Sequence, residues 1–411
     1  MTQQVQKSFR TKFVQLASGS ALAQAASLLL MPLLSRLYTP ADFGTFAVYF
    51  AISTVLGLVS TLRFDVAIML CKDDSEAAQL VWLNLTISLI FTTVAATLLT
   101  LAAWFNASTY LTPEALPAII VSTLAIGMVQ TLLNWHSRRQ AFQVLGFRNV
   151  AERVLTLTAG LALAFLGWQT GGLLYAQTLG LCLSALYLFV KADLPIGSRS
   201  NVAWPVLIRR YSDFPLRHLP STLLSAGAGQ IVALLFARFF TREQLGQYNL
   251  ASRILEAPIT LVANTFSTVY YQTISQRGAP EQRRLFFHTL KFMSLLFSVP
   301  ILALALAGPL LFSWIFGANW AMAGSLAQIL GILTLFRLFF VSQSSLLLVQ
   351  RKLNTDLWIS VLLFASQVGG FALGYATFGT IYSCIFLISA LGATVYIFGL
   401  YKIFTVLRLA K

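Results

Sequence analysis

The residues of this sequence with chemical capability are few, and most stand inside apolar runs. Asn249, Arg253, Glu256, Thr260, Asn264, Ser267 and Tyr271 recur at spacings of three and four, which places them on one face of a helix. Ile254, Leu255, Ile259, Leu261, Val262 and Phe266 fall on the opposite face. Charge in hydrocarbon is costly, so such a stripe needs a water-lined hollow or a polar neighbouring helix. Pro258 removes one backbone hydrogen bond and favours a kink there. Arg253 and Glu256, at i and i+3, can pair with each other. Two readings follow: an ion pair that locks helices together, or an anion site to which Asn249 and Asn264 add contacts.

Arg337 lies well inside another apolar run, with no acid near it in sequence. Its partner comes from another helix, from water or from a ligand. Arginine suits an anion carrier because its planar fork binds phosphate oxygens in pairs and keeps its charge when desolvated. Several arginines at full strength would trap the anion, so access to it must alternate. Glu256 would moderate the binding or carry a coupling proton. Arg63 and Asp65 close the second apolar run, either as an interfacial pair or as a cationic mouth with an acid beside it. Arg217 and His218 enter the seventh run from the same side, and Arg36 and Arg238 occupy matching outer positions. Each of these arginines is a candidate anion contact.

Other chemistries lack their residues. Cys71, Cys182, Cys384, His136, His218 and His288 are scattered, so neither a metal centre nor a disulfide framework is expected. There is no nucleotide-binding glycine loop and no arrangement of paired carboxylates. No cofactor, no nucleic-acid partner and no enzyme activity are expected.

The elements that must hold these residues are membrane helices. Charged types make up 10% of the 411 residues, against about 25% in a soluble domain. A helix needs roughly 20 apolar residues to cross the hydrocarbon core. Twelve such runs are legible, at about 14–35, 43–62, 81–105, 116–135, 153–169, 171–190, 216–237, 246–270, 292–314, 323–346, 356–377 and 381–402. With the N-terminus inside, 23 of the 28 Lys and Arg fall on inner segments. Arg36, Arg238 and Arg242 fall on outer ones, and Arg253 and Arg337 lie within spans. That asymmetry predicts twelve spans with both termini cytoplasmic. The net charge of +15 is then mostly topology, together with attraction to anionic membrane lipid. Trp104, Trp135, Trp168, Trp314 and Trp320 fall near span ends, as in an interfacial belt. The loops are too short for a catalytic domain, and the Asn106-Ala107-Ser108 glycosylation pattern reads as a chance match.

An internal repeat orders the spans. Arg36-Leu-Tyr-Thr39-Pro-Ala-Asp42-Phe43-Gly44 returns 202 residues later as Arg238-Phe-Phe-Thr241-Arg-Glu-Gln244-Leu245-Gly246. Each copy joins the first two spans of its half, after a speckled segment carrying Ser18, Ser20 and Gln24 or Ser221, Ser225 and Gln230. The expected fold is all-α and polytopic. Its two six-helix lobes, 1–200 and 201–411, are related by a pseudo-two-fold axis along the membrane normal. Thr39, Asp42 and Thr241 fit helix capping better than ligand contact, and Gly44 and the Gly370/Gly374 pair suit close packing.

Residues 19–24, 32–44 and 62–68, the last reading Leu62-Arg63-Phe64-Asp65-Val66-Ala67-Ile68, resemble the opening of bacterial polysaccharide biosynthesis membrane proteins, the Wzx-type oligosaccharide flippases. Gly246-Gln-Tyr-Asn-Leu-Ala-Ser-Arg253 is similar to the start of their second lobe. The resemblance implies a twelve-helix member of the multidrug/oligosaccharidyl-lipid/polysaccharide exporter superfamily in the bacterial inner membrane. It implies transfer of a polyprenyl-diphosphate-linked oligosaccharide, such as an O-antigen or exopolysaccharide unit, from the cytoplasmic to the periplasmic leaflet. It also implies a cationic cavity, which Arg253 and Arg337 fit best and Arg63 and Arg36 less well. The partners are then the lipid-linked oligosaccharide and membrane lipids, with a polymerase and other glycan assembly proteins left open. Peptidoglycan-precursor flippases of that superfamily carry two more helices, and multidrug exporters favour acidic cavities. Both remain alternatives, as does a non-transporting scaffold of a glycan assembly complex.

Overall fold

The computed structural model describes residues 24–71, 73–105, 112–194, 204–260, 279–344, 346–347, 350 and 352–409. Among the described residues the regular structure is helical, with no strand. Each expected run overlaps one helix among the described residues. The first six are α1 (Gln24–Leu37), α2 (Pro40–Ser60), α3 (Asp74–Trp104), α4 (Ala115–Arg138), α5 (Phe142–Phe165) and α6 (Gln169–Val190). The second six are α7 (Leu219–Phe239), α8 (Arg242–Pro258), α9 (Ala279–Phe316), α10 (Ala321–Gln343), α11 (Leu353–Phe378) and α12 (Ile381–Leu409). Eight of them, α2, α3, α4, α6, α9, α10, α11 and α12, are long and apolar enough to cross a membrane. On α9 the exposed Leu295, Val299, Leu302, Leu306 and Leu310 repeat every three or four residues. A stripe of that kind is an aggregation patch in water and a lipid-facing surface in a bilayer. The molecule is a multi-pass membrane protein.

Several helices outrun their apolar cores. α3 starts at Asp74 rather than near 81, α5 at Phe142 rather than near 153, and α9 at Ala279 rather than near 292. These extensions carry the charges that read as loop in the sequence, among them Glu76, Arg148, Glu152, Arg283, Arg284 and Lys291. The Asn106–Ser108 pattern, Ser18 and Ser20, and Asn264, Ser267 and Tyr271 of the polar stripe lie outside the described residues.

The chain divides into two compact units. One contains the chain up to Leu30 and Thr45–Gly227, and the other contains Met31–Gly44 and Ala228–Lys411. In the first unit Leu80, Val81, Leu132, Trp135, Leu188 and Leu207 form a buried core. The Tyr49 hydroxyl lies 2.5 Å from Ser122 Oγ and 3.0 Å from Thr178 Oγ1, so three buried hydroxyls satisfy one another across α2, α4 and α6.

The second unit brings the two copies of the repeat together. In the first copy the Thr39 backbone N–H donates to Asp42 Oδ2 at 2.9 Å and the Asp42 N–H donates to Thr39 Oγ1 at 3.3 Å. In the second, Thr241 and Gln244 make the same reciprocal box. Both satisfy backbone donors at a helix start, as the capping reading expects. The two glycines then mark where the helices cross: a Cβ on Gly44 would overlap the Arg242 carbonyl oxygen, and one on Gly246 would overlap that of Pro40. α11 and α12 are similarly close, since a Cβ on Gly370 would stand 2.8 Å from the Ile388 backbone. The tryptophans divide. Trp104, Trp168 and Trp314 are exposed, as belt residues are, whereas Trp135 and Trp320 are buried. The indole N–H of Trp135 donates to the Ala192 carbonyl and that of Trp320 to the Ser35 carbonyl, each at 2.8 Å. These two are structural pins rather than interfacial residues. In α9, Pro309 has no N–H for the Ala305 carbonyl, and Gln328 of α10 donates to that oxygen at 2.8 Å instead.

Candidate functional site

In the second unit, α8 carries the described part of the polar stripe and packs on α10. Glu256 faces Arg337. Arg337 Nη1 donates to Glu256 Oε2 at 2.7 Å and Nη2 donates to Oε1 at 2.8 Å. This is a parallel, two-bond fork, the strongest geometry open to the two groups. Of the partners left open for Arg337, the structure chooses one on another helix, Glu256. The side chains are 37% and 44% exposed, so the pair is not sealed in a dry core. The hydroxyls of Tyr248 on α8 and Tyr396 on α12 lie within electrostatic range of it. Arg253 sits one turn before Glu256, half-buried and engaged with its own surroundings. Asn249 Oδ1 is buried without a hydrogen-bond partner, and the Ser252 hydroxyl lies beside that of Tyr248. Beyond Pro258, the Thr260 hydroxyl turns back to the Ala257 carbonyl at 2.9 Å. The local charge is that of two arginines against one carboxylate, arranged beside an unfilled polar atom. Such a set can hold an anion.

Arg63 and Asp65 of the first unit form a tighter node. α2 ends at Ser60, and Leu62 and Arg63 both take left-handed backbone conformations, with φ of 49° and 63°. Such angles cost free energy in a residue with a side chain. Asp65 holds the turn. Its Oδ1 accepts from the Thr61 hydroxyl at 2.8 Å and its Oδ2 from Asn134 Nδ2 of α4 at 3.0 Å, with Arg63 Nη1 at 3.6 Å. Asp65 is 1% exposed. Arg63 keeps a buried Nε without a partner.

The outer arginines are unlike each other. Arg36 Nη2 donates to the Trp314 carbonyl at 3.2 Å, near the C-terminus of α9, where a cation meets the negative end of a helix. Arg238 is exposed and stands over the Phe239 ring, 5.8 Å from its centroid. Arg217 lies on the short wide turn Phe214–His218 before α7, and its side chain lies outside the described ones.

Two polar clusters escaped sequence reading. On α5, Arg148 pairs with Glu152, and its Nε donates to Ser184 Oγ of α6 at 2.5 Å. The i,i+4 spacing of Arg148 and Glu152 was the available signal. Between α6 and α7, the short helix Trp204–Arg210 is tied to α3, because Glu76 Oε1 accepts from Arg210 Nη1 at 2.5 Å and from the Tyr211 hydroxyl at 3.2 Å. Burial, with the Cys71 thiol and Glu76 beside it, pushes the Tyr211 hydroxyl above its ordinary range. No local pattern joins residues so far apart. Among the described residues no group of His, Cys, Asp and Glu is placed to hold a metal ion.

Comparison with known proteins agrees with this architecture. The lipid II flippase MurJ in an inward closed conformation superposes with a TM-score of 0.70 over 93% of this chain and 87% of its own, at 12% identity. A MOP superfamily transporter from Pyrococcus furiosus, whose binding pocket is described as reversed in polarity, gives 0.61 over 97% and 95% at 16% identity. An inward-facing multidrug resistance MATE family transporter of the same superfamily gives 0.60 over 96% of both chains at 15% identity. At these identities the likeness concerns the fold. No curated protein sequence matches the chain significantly. Residues 33–325, well over half the chain, match the polysaccharide biosynthesis protein family. The chain therefore belongs to the polysaccharide biosynthesis protein family, built on the fold of MOP superfamily transporters.

Proposed function

We propose that this protein is a flippase. It moves a polyprenyl-diphosphate-linked oligosaccharide from the cytoplasmic to the periplasmic leaflet of a bacterial inner membrane by alternating access. The helices span the bilayer twelve times with both termini inside, following the distribution of Lys and Arg. The supporting observation is the α8–α10 site: Arg253 and Arg337, partly open, in a membrane bundle where an uncompensated charge is expensive. A diphosphate offers the two oxygen edges that arginine forks accept. Arg253 and Arg337 are its main contacts, and Asn249 and Asn264 add hydrogen bonds. Arg63 contributes its free Nε at the inner end, and Arg217 enters there too. Arg36 and Arg238 meet the anion at the outer end. Glu256 sets the strength of binding, and Asp65 holds Arg63 in place. Nothing in this cycle calls for covalent chemistry on the sugar.

Replacing Arg253 or Arg337 by Ala removes charge-assisted hydrogen bonds, so transfer of a labelled lipid-linked oligosaccharide in vesicles falls about tenfold or more for each. Full transfer by both variants at normal protein levels overturns the reading. A lipid-linked peptidoglycan precursor is a second candidate cargo, favoured by the similarity to the lipid II flippase. It shares the diphosphate, so offering both lipids to one preparation separates the two.

A further inference from the structure

In the first unit a groove opens between α4 and α6, and its floor is made by small residues. Ala125 of α4 and Ala185 of α6 are buried there, with Cys182 half-buried beside them. Val121, Leu186 and Phe189 stand at its rim and are exposed. The hollow measures about 210 Å³ and no charged residue lines it. An apolar cavity of roughly 150 Å³ already takes up benzene and stays dry. On a pair of membrane-spanning helices, such a hollow is filled by hydrocarbon.

The end of the groove decides which hydrocarbon. Val121, Ala125 and Met128 lie on one face of α4, and Arg139, eighteen residues after Val121, returns to that face about five turns later. Arg139 is exposed. It stands over the Trp135 ring, 5.1 Å from the centroid, and its Nη1 donates to the Ala192 carbonyl at 3.4 Å. Ring and carbonyl fix the guanidinium without cancelling its charge. Arg138, by contrast, is taken up by Asp74 and the Cys71 carbonyl. At the same end, the exposed Lys191 offsets the nearby Asp193 carboxylate. At 1.5 Å per residue, Met128 and Ala125 lie about 16 and 21 Å along α4 from Arg139. From headgroup level to the bilayer midplane is about 20–22 Å. A lipid whose phosphate meets Arg139 therefore ends its chain in the hollow. We propose that this groove binds one anionic phospholipid of the bilayer, with its phosphate on Arg139 and one acyl chain over Ala125 and Ala185. Basic pockets between helices on the cytoplasmic side select such headgroups, and the topology proposed above puts this end of α4 inside. The match to one leaflet favours an acyl chain over a longer prenyl chain. The site needs no cargo, so a protein that moved nothing would still hold the lipid.

The test uses the full chain, purified and delipidated in mild detergent. The probes are phosphatidylglycerol and phosphatidylcholine, each with a photoreactive diazirine near the end of one acyl chain. Phosphatidylglycerol should label α4 and α6 around Ala125 and Ala185, at one lipid per chain. It should do so about fivefold more strongly than phosphatidylcholine, the effect of one basic residue on an anionic lipid. Arg139→Gln should abolish that preference without moving the labelled position. Ala185→Leu fills the hollow and should cut the label there several-fold for both lipids, and Ala125→Leu replaces it if that variant does not fold. Unlabelled phosphatidylglycerol in excess should displace the label, and an equal amount of geranylgeranyl phosphate should not. Label spread evenly over the groove and the exposed stripe of α9, equal labelling by both headgroups, or undiminished label in the folded leucine variant each overturns the site. Displacement by geranylgeranyl phosphate overturns the phospholipid and assigns the groove to a prenyl chain. No transport is measured, so these outcomes are separate from the failure or success of the flippase reading.

Discussion

Arg63 with Asp65 in the first unit, and Arg337 with Glu256 in the second, are both arginine–carboxylate pairs inside helical bundles, and they are built to opposite ends. Asp65 is 1% exposed and spends both oxygens on neighbours, Thr61 and Asn134, before Arg63 approaches at 3.6 Å. Glu256 is 44% exposed, and the described side-chain donor on both of its oxygens is Arg337. The first carboxylate is a hub: it pins a left-handed turn and ties the end of α2 to α4. The second is a partner in one bond pair between two helices, α8 and α10. Pairing arginine with a carboxylate thus gives a rigid joint where several donors converge on a buried acid, and a looser contact where one donor meets a partly exposed one.

Substitution separates the two on a single scale of stability. Asp65→Ala leaves Arg63 as a buried charge and strands the donors of Thr61 and Asn134. The expected loss is about 3–5 kcal/mol, the range for breaking a buried pair from one side. It would be read as a large drop in thermal unfolding temperature of the purified protein. A variant as stable as the wild type would remove the distinction. Asn134→Ala is the sharper and milder test, since it takes away one hydrogen bond to a carboxylate that keeps its others. About 1–3 kcal/mol is expected in the same measurement. The double variant should lose much less than the sum, because both residues act through one hub. Additive losses would mean that Asn134 stabilises α4 by a route that does not involve Asp65.

The helices were legible because apolar runs of membrane length leave few alternatives. The run at 323–346 becomes Ala321–Gln343, and that at 381–402 becomes Ile381–Leu409. Capping at Thr39 and Thr241 was readable too, since it depends on spacing within one turn. Reading failed where charge is neutralised inside a helix. Arg148 and Glu152 look like loop residues until each is seen to cancel the other, which moves the start of α5 back to Phe142. It failed again for partners distant in sequence. Arg253 is three residues from Glu256, yet the acid bonds to Arg337, which lies 81 positions away on another helix. Local spacing limits which pairs are possible, and helix packing selects among them. The polar face of α8 was visible as a stripe, but its division into a bonded acid, an engaged arginine and an unfilled Asn249 oxygen required neighbours that no window of sequence contains.

Glu256→Gln carries the smallest expected stability effect and bears most directly on the contrast. The glutamine keeps one carbonyl oxygen for Arg337 and loses the charge. Because the pair is more than a third exposed on both sides, it is not a sealed ion pair, and stability should change by less than about 1 kcal/mol. Transport should change much more than stability, since the variant no longer holds the Arg337 fork with a charge. A loss of several kcal/mol in thermal unfolding, comparable to that of Asp65→Ala, would show that Glu256 is a hub like Asp65. Arg337 would then be held too firmly to be handed to a ligand. Unchanged stability together with altered anion affinity would instead place the difference between the two pairs in their access to water, since their residue types are alike.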